Sequence, residues 1–302
     1  MTMSLPLAAP QRIATITREM AAVPAWSVAG ILASIISGPA WADCLPNPPA
    51  SGQTVTCSGP APTTVPLDAS AASNVTVNIN ADAVVTGNGN LITLGSGAQL
   101  GNLGRIEPFS TGTGSTGVLV LGNNSVVRNE AGGTITTAGD QATGIAATAG
   151  TGHQLRNEGS IATQGQSSHG MLLNGASSSS MINAGSINTS GTGAHGLYVL
   201  SGARNTLENR GTVNTSGQRG NGMRADDGDS TFINSGDILV GGRDAFGVFM
   251  QGNNNSLLNS GTIRASGINA DGVLSNTTGG SFVARIENTG SIISERSSRC
   301  AA

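Results

Sequence analysis

The chain has no lysine, few aromatic side chains and few charges of either sign. All 14 of its basic residues are arginine, and its aromatic residues are 5 Phe, 2 Trp and 1 Tyr. Charged residues make up 10% of the sequence and the net charge is −3, whereas a typical globular domain has about 25% charged residues. A nucleic-acid-binding domain presents a basic patch, often with interleaved aromatic residues. We therefore expect no nucleic-acid partner.

What the chain has in abundance is glycine, 45 of 302 residues, much of it in a repeated pentapeptide. The pattern is Asn, any residue, Gly, any residue, then Ile or Val, and one stretched copy reads N-E-A-G-G-T-I. Successive asparagines are 25 to 29 residues apart, and a fixed period of this length is typical of a solenoid. The repeated asparagines are Asn102, Asn129, Asn157, Asn183, Asn209, Asn234, Asn259 and Asn288.

Apolar residues occupy fixed positions around each asparagine. Leu155, Met181 and Leu207 stand two residues before it, and Ile161 and Ile187 stand four residues after it. Alternation with a period of two is typical of a strand with one buried face. We therefore predict an all-β fold, a right-handed parallel β-helix of about eight coils with a period near 26 residues and about three short strands in each coil.

The asparagine column has a structural interpretation. Stacked amides at a turn can hydrogen-bond to the asparagine of the next coil, so we expect a ladder in which each bond contributes about 1 kcal/mol. The glycine two residues later is predicted to adopt a positive φ. Ligand binding by the asparagines is the alternative, and we favour the structural role.

A second glycine column precedes an apolar residue, and His169 and His195 stand directly before two of these glycines. Two histidines stacked one coil apart could bind a metal ion, but their column offers no other strong ligand, so we predict solvated surface histidines. The positions of Tyr198 and Arg224 are predicted to face outward. The acidic run from Asp226 to Asp229 lacks the full spacing of a calcium loop and is interpreted as a solvated turn.

Signatures of catalysis and of cofactor binding are missing from the sequence. It contains no G-x-S-x-G, no H-E-x-x-H and no P-loop. A glycosidase needs clustered carboxylates, and the acidic residues Glu130, Glu158, Glu208, Asp237 and Asp271 occupy different positions in their coils. We therefore predict a protein that is not an enzyme and has no cofactor or metal. The alternative is a carbohydrate-active β-helix enzyme of the polysaccharide lyase or glycosidase type.

The N-terminal residues have the features of an export signal. Arg12 and Arg18 precede an uncharged run over 21–36, and the tripeptide A-W-A directly before Asp43 fits a small-x-small cleavage site. An uncleaved membrane anchor is the alternative. The predicted segments are 1–42, a signal peptide; 43–80, a Pro-rich disulfide loop and cap; 81–293, the β-helix repeats; and 294–302, a polar tail.

Two cysteines follow the predicted cleavage site. In an exported chain Cys44 and Cys57 are expected to form a disulfide that closes a short Pro-rich loop, which would contribute about 3 kcal/mol. Two unpaired thiols are the alternative. Cys300 is left without a predicted partner.

The chain resembles the passenger region of bacterial autotransporters over residues 1 to 293. The resemblance is carried by the long signal, by D-C-L-P-N-P-P followed by V-T-C-S-G, and by tandem x-N-x-G-x-I coils with A-x-G-[ILMV] between them. It implies a β-helix displayed outside a Gram-negative cell, adhesin-like or virulence-associated, with a host-cell surface or extracellular matrix as partner. We expect a monomer.

The sequence departs from that family at its C-terminal end. Autotransporters end in an outer-membrane β-barrel with aromatic girdles, and this chain has too few aromatic residues for one. We expect a truncated or a naturally short passenger that lacks its translocator. The product would be at the cell surface or extracellular if a translocator is supplied and in the periplasm otherwise; a gene product without independent function is a further alternative.

Overall fold

The structure is a computed structural model that describes residues 43–63, 65–108, 113–276 and 284–295. The predicted signal peptide, Cys300 and residues 296–302 of the predicted tail lie outside the described residues. Within the described ranges no helix is long and apolar enough to span a membrane.

The described residues form short β-strands separated by turns. The strands are β1 (Asp43–Leu45), β2 (Thr54–Ser58), β3 (Leu67–Ala69), β4 (Thr76–Ile79), β5 (Val84–Gly87), β6 (Ile92–Leu94), β7 (Gln99–Asn102), β8 (Arg105–Pro108), β9 (Val118–Val120), β10 (Val126–Asn129), β11 (Thr134–Thr137), β12 (Ile145–Ala147), β13 (Gln154–Asn157), β14 (Ser160–Thr163), β15 (Met171–Asn174), β16 (Ser180–Asn183), β17 (Ser186–Thr189), β18 (Leu197–Ser201), β19 (Thr206–Asn209), β20 (Thr212–Thr215), β21 (Met223–Ala225), β22 (Thr231–Asn234), β23 (Asp237–Val240), β24 (Phe246–Gln251), β25 (Ser256–Asn259), β26 (Thr262–Ala265), β27 (Asp271–Asn276), β28 (Arg285–Asn288) and β29 (Ser291–Ser294).

Each coil contributes one strand to each of three sheets. The first sheet has eleven strands, from β1 and β2 to β28, and the second and third sheets have nine strands each. Apart from β1, neighbouring strands run parallel and in register, so that Leu155 pairs with Met181 and Met181 pairs with Leu207. The predicted parallel β-helix with a period near 26 residues is confirmed.

The solenoid has about nine turns rather than the predicted eight, because its earliest coils lack the asparagine that marks the repeat. In the strand that pairs with β7, Ile79 stands in register with Asn102. An isoleucine can stack above the first asparagine in the same buried column, and a search for the pentapeptide cannot find it. The coil count from the motif was therefore too low.

Alternate residues of most strands point into a narrow apolar interior, whereas β28 and β29 at the end of the described solenoid are exposed. Leu155, Met181 and Leu207 are each 0% exposed, as are Ile161 and Ile187. Burial of a Leu, Ile or Met side chain contributes about 1.5–3 kcal/mol, so each coil is stabilised mainly by the coils above and below it. A threonine column extends this interior: Thr163 Oγ1 donates to Ser168 O at 2.6 Å and Thr215 Oγ1 donates to Gly220 O at 2.8 Å, which satisfies the buried hydroxyls.

In the seven unstretched repeats the glycine two residues after the asparagine does not adopt a positive φ, so that prediction was wrong. The reason for glycine is the close approach of one coil to the next. A Cβ on Gly185 would stand 2.1 Å from Gly159 O, and a Cβ on Gly211 would stand 2.1 Å from Gly185 O. No side chain fits at that distance, because the backbone carbonyl of the preceding coil already occupies the space.

The N-terminal end of the first sheet is closed by an antiparallel strand. β1 pairs with β2 and brings Cys44 opposite Cys57, and the two residues form a disulfide. The expected disulfide is therefore present. Both cysteines are buried and belong to the apolar core.

Candidate functional site

The eight repeated asparagines form one continuous ladder. Each Nδ2 donates to the Oδ1 of the asparagine in the next coil, over 2.7 Å from Asn102 to Asn129 and 2.8 Å from Asn183 to Asn209. Asn183 Nδ2 also lies 3.1 Å from Thr212 O. The remaining steps run through Asn157, Asn234, Asn259 and Asn288 at 2.6–2.9 Å. The buried amide groups are thus hydrogen-bonded to one another, so few of their donors and acceptors remain free to bind a ligand.

His169 and His195 are buried, so the prediction of solvated histidines was wrong. Their side chains stack with ring centroids 5.1 Å apart, and the Tyr198 ring packs 4.7 Å from both. His169 is 8% exposed and His195 is 5% exposed. The Tyr198 ring packs against both imidazoles and helps to exclude water from them.

The two imidazoles act as hydrogen-bond acceptors for the backbone of the next coil. The N–H of His195 donates to His169 Nδ1 at 3.1 Å, and the N–H of Asn221 donates to His195 Nδ1 at 3.0 Å. Burial, and then the positive charge of Arg224, lowers the pKa of His169 to about 3. Burial, and then charge on His169 and Arg224, lowers the pKa of His195 as well. Both rings are therefore neutral near pH 7. Among the described residues no three potential ligands gather in a metal-binding group.

Tyr198, Arg224 and Asp226 form a bonded cluster on the outer face of the third sheet. Tyr198 Oη donates to Asp226 Oδ2 at 2.5 Å, and Arg224 Nε donates to Asp226 Oδ1 at 2.6 Å. The Arg224 guanidinium also lies 4.8 Å from the centre of the Phe249 ring, within cation–π range. Burial and the Asp226 carboxylate raise the pKa of Tyr198. Asp226 is thus not the solvated turn residue that the sequence suggested, and every group in the cluster already has a partner.

The outer faces also carry arginine–carboxylate pairs separated by two residues along the chain. Five of these form ion pairs: Arg105–Glu107, Arg156–Glu158, Glu208–Arg210, Arg224–Asp226 and Arg285–Glu287. Glu158 and Glu208, two of the scattered acidic residues noted in the sequence, are therefore each ion-paired with an arginine. Arg128 and Glu130 have the same spacing but form no ion pair.

An open hollow lies beside Arg128 on the outer face of the first sheet. Glycine stands at Gly101, in register with Arg128 on the neighbouring strand, where an outward side chain would otherwise fill the face. The hollow has a volume of about 250 Å³, and a second hollow of about 220 Å³ lies on the other side of Arg128. The side chains around the first are Thr76, Asn78, Gln99, Leu100, Val126, Arg128 and Glu130, of which Leu100 is buried. The sequence alone does not reveal this site, because the period of the repeat does not show which charges remain unpaired.

Comparison with protein families decides where the chain belongs. The family model described as the BigA third pectate lyase-like domain matches residues 51–285, well over half of the chain. The chain belongs to this family. The BigA-family match begins just before β2 and ends at the first residue of β28, so it includes seven of the eight ladder asparagines, the buried histidines and both hollows. No curated protein and no solved structure matches the chain.

Proposed function

We propose that this BigA-family domain is exported and acts at the cell surface as an autotransporter-type passenger that binds other surfaces. The predicted signal in residues 1–42 and the tandem coils support export. The Cys44–Cys57 disulfide supports it as well, because disulfides persist in oxidising compartments outside the cytoplasm. The proposed partners are a host-cell surface or the extracellular matrix.

The observation that carries a binding role is the regularity of the outer faces. Parallel strands stack in register through the sheets, so outward side chains recur roughly every 4.8 Å along the solenoid axis. A ligand that lies along the axis meets the same kind of position in successive coils. Repeat proteins commonly use such extended surfaces for recognition.

A carbohydrate-active enzyme is the second candidate, and two observations favour it. The family description names a pectate lyase-like domain, and Glu130 is a carboxylate outside any ion pair. Glycoside cleavage by the usual route requires two carboxyl groups on either side of the scissile bond. Glu158, the acidic residue of the neighbouring coil, is held by Arg156. We favour binding over catalysis on this ground.

The test uses the full chain, expressed for export in a Gram-negative host. We expect the product in the periplasm or outside the cell, with its first residues removed near position 42, and we expect the purified product to bind host cells or matrix proteins. Retention in the cytoplasm, or no binding to any surface tested, would overturn the proposal. Release of new reducing ends from pectin or other polysaccharides would support the enzyme instead.

A further inference from the structure

Arg128 and Glu130 are the exception among the outward arginine–carboxylate pairs. In five other pairs with the same spacing the two side chains bond to each other. Glu130 instead extends towards the neighbouring coil, where its Oε1 lies 3.8 Å from the position that a Cβ on Gly101 would occupy. A guanidinium and a carboxylate are therefore both open to a ligand on the same small area of sheet.

Gly101 creates the space into which these two groups face. Like the glycines that follow the repeated asparagines it has no positive φ, but unlike them it has open space around it, since an added Cβ would meet nothing closer than Glu130 Oε1 at 3.8 Å. Neither backbone strain nor close packing between coils requires a glycine at this position. Its effect is to leave a gap in the outer face between Asn78 and Arg128, which pair in register with it on either side.

The lining of the two hollows favours a ligand rich in hydroxyl groups. Asn78, Gln99 and Gln154 offer amide donors and acceptors, and Arg128 and Glu130 add charged ones. A carboxylate and a guanidinium can each bond two adjacent hydroxyls of a sugar ring. We propose that the outer face of β4, β7, β10 and β13 binds a neutral glycan chain, with Arg128 and Glu130 as its main contacts; this deepens the surface-binding role proposed above.

The charges decide between a neutral and an anionic glycan. Across the two hollows the arginines Arg128 and Arg156 are balanced by the carboxylates Glu130 and Glu158. A polyanion would need an excess of positive charge and would be repelled by Glu130. A neutral chain uses both kinds of group as hydrogen-bond partners.

The same lining disfavours a protein partner at this place. The core of a protein–protein interface is enriched in apolar and aromatic side chains, and Val126 is the one apolar side chain exposed between the two hollows, with Ile182 at the far edge of the second. The hollows lie on either side of Arg128, along the direction in which the coils stack. The hollows are centred on β7 and β13, two coils or roughly 10 Å apart, so a glycan chain lying along the axis would pass through both.

The experiment measures binding of neutral tetrasaccharides to the full exported chain by calorimetry. The probes are cellotetraose, maltotetraose and tetra-N-acetylchitotetraose, with tetragalacturonic acid as the anionic comparator. We expect at least one neutral probe to bind and the anionic probe to bind at least tenfold more weakly. Arg128→Ala and Glu130→Ala should each weaken the binding about tenfold, the loss of one charge-assisted hydrogen bond.

Gly101→Leu is the sharpest variant, because it fills the first hollow without a backbone clash and should abolish binding. Arg210→Ala, which removes an exposed guanidinium from a closed pair, is the matched control and should bind as the parent does. All four variants are expected to keep the parent's melting temperature within a few degrees, since the changed groups face solvent.

Three results would overturn the proposal. They are the absence of binding to every neutral probe, tighter binding to the anionic probe, and unchanged binding by Gly101→Leu. The proposed surface function is tested separately, through adhesion of the same chain to host cells. Adhesion by a parent chain that binds no neutral tetrasaccharide would refute the glycan site and leave the surface function standing, whereas a parent chain that adheres to nothing would refute the surface function.

Discussion

Asn183 donates a hydrogen bond from Nδ2 to Asn209 Oδ1 across 2.8 Å, while its own Oδ1 accepts one from Asn157 over the same distance. Each asparagine inside the ladder thus donates a hydrogen bond to the asparagine of the next coil and accepts one from the asparagine of the previous coil. The column is 0–2% exposed from Asn102 to Asn259, so water cannot replace a missing partner. The ladder joins successive coils by side-chain hydrogen bonds, in addition to the backbone hydrogen bonds of the sheets.

Replacement of Asn183 by leucine is expected to destabilise the solenoid by about 2–4 kcal/mol. The variant loses the bonds of Asn183 and leaves Asn209 Oδ1 without its donor, and an unsatisfied buried polar group costs about 1–3 kcal/mol. Asn157 Nδ2 loses one acceptor but keeps Gly159 O and Ser186 O. Urea unfolding followed by far-UV circular dichroism measures the change. Asn188→Leu is the control, because Asn188 is exposed on the outer face of the second sheet. Equal midpoints for the two variants would count against the ladder.

The sequence predicted the fold well because the fold is periodic. Residues such as Leu155, Met181 and Leu207 recur at one position of the repeat, and parallel in-register stacking follows from that recurrence alone. The disulfide between Cys44 and Cys57 was predicted for a similar reason, since the two residues stand close together in an exported chain. Counting coils from the periodic motif also gave one error. The earliest coils were missed, because Ile79 stands where the motif would have an asparagine.

Contacts between different columns could not be predicted in this way. His169 and His195 were placed in the correct column but assigned to solvent, because the sequence does not show that the Tyr198 ring packs against both. The open pair of Arg128 and Glu130 has the same spacing as five closed pairs. Whether such a pair closes depends on side-chain direction and on the space beside it, which Gly101 supplies on the neighbouring strand.

Gly185→Ala tests whether glycine is required for close approach of successive coils. An added Cβ would lie 2.1 Å from Gly159 O, and the backbone must shift to relieve the clash. We expect a loss of at least about 3 kcal/mol, a value in the range of severe core substitutions, measured by urea unfolding. Gly101→Ala is the matched control, because a Cβ there meets only Glu130 Oε1 at 3.8 Å; it should leave the unfolding midpoint unchanged. A Gly185→Ala variant as stable as Gly101→Ala would falsify the explanation.

The buried histidines predict a loss of stability in mild acid. The pKa of His169 is about 3 in the folded protein and about 6.5 in the unfolded chain, so the unfolded chain binds more protons between these values. Stability is therefore complete above pH 6.5 and falls as the pH falls towards 3. At pH 5 the loss from His169 is about 2 kcal/mol, and the lowered pKa of His195 adds to it in the same direction. Thermal melting between pH 5 and pH 7.5 measures this dependence.

The double variant His169→Asn with His195→Asn provides the control for the acid effect. Asn221 already occupies the next position of this column and accepts a hydrogen bond from the Phe246 N–H at 2.8 Å through Oδ1. An asparagine can therefore accept the backbone hydrogen bond that each histidine accepts, and it does not titrate. We expect the variant to fold and its melting temperature to vary less with pH than that of the parent. The pKa of His153 is also lowered by burial, so a weaker dependence should remain. An unchanged pH profile would assign the effect to other groups.

The disulfide is expected to stabilise only the N-terminal end of the solenoid. Joining Cys44 to Cys57 closes a loop with a sequence separation of 13 residues, which the loop-entropy model values at about 3 kcal/mol. Each coil contacts only its neighbours, so the double variant Cys44→Ala with Cys57→Ala should loosen β1 and β2 and leave distant coils intact. Hydrogen exchange should accelerate by about two orders of magnitude at the Val55 amide and remain unchanged at the Leu207 amide. Dithiothreitol should reproduce the effect in the parent and add nothing in the variant, because the variant has no bond to reduce. Equal acceleration at both amides would mean that the chain unfolds as one cooperative unit, contrary to the coil-by-coil stability on which this prediction rests.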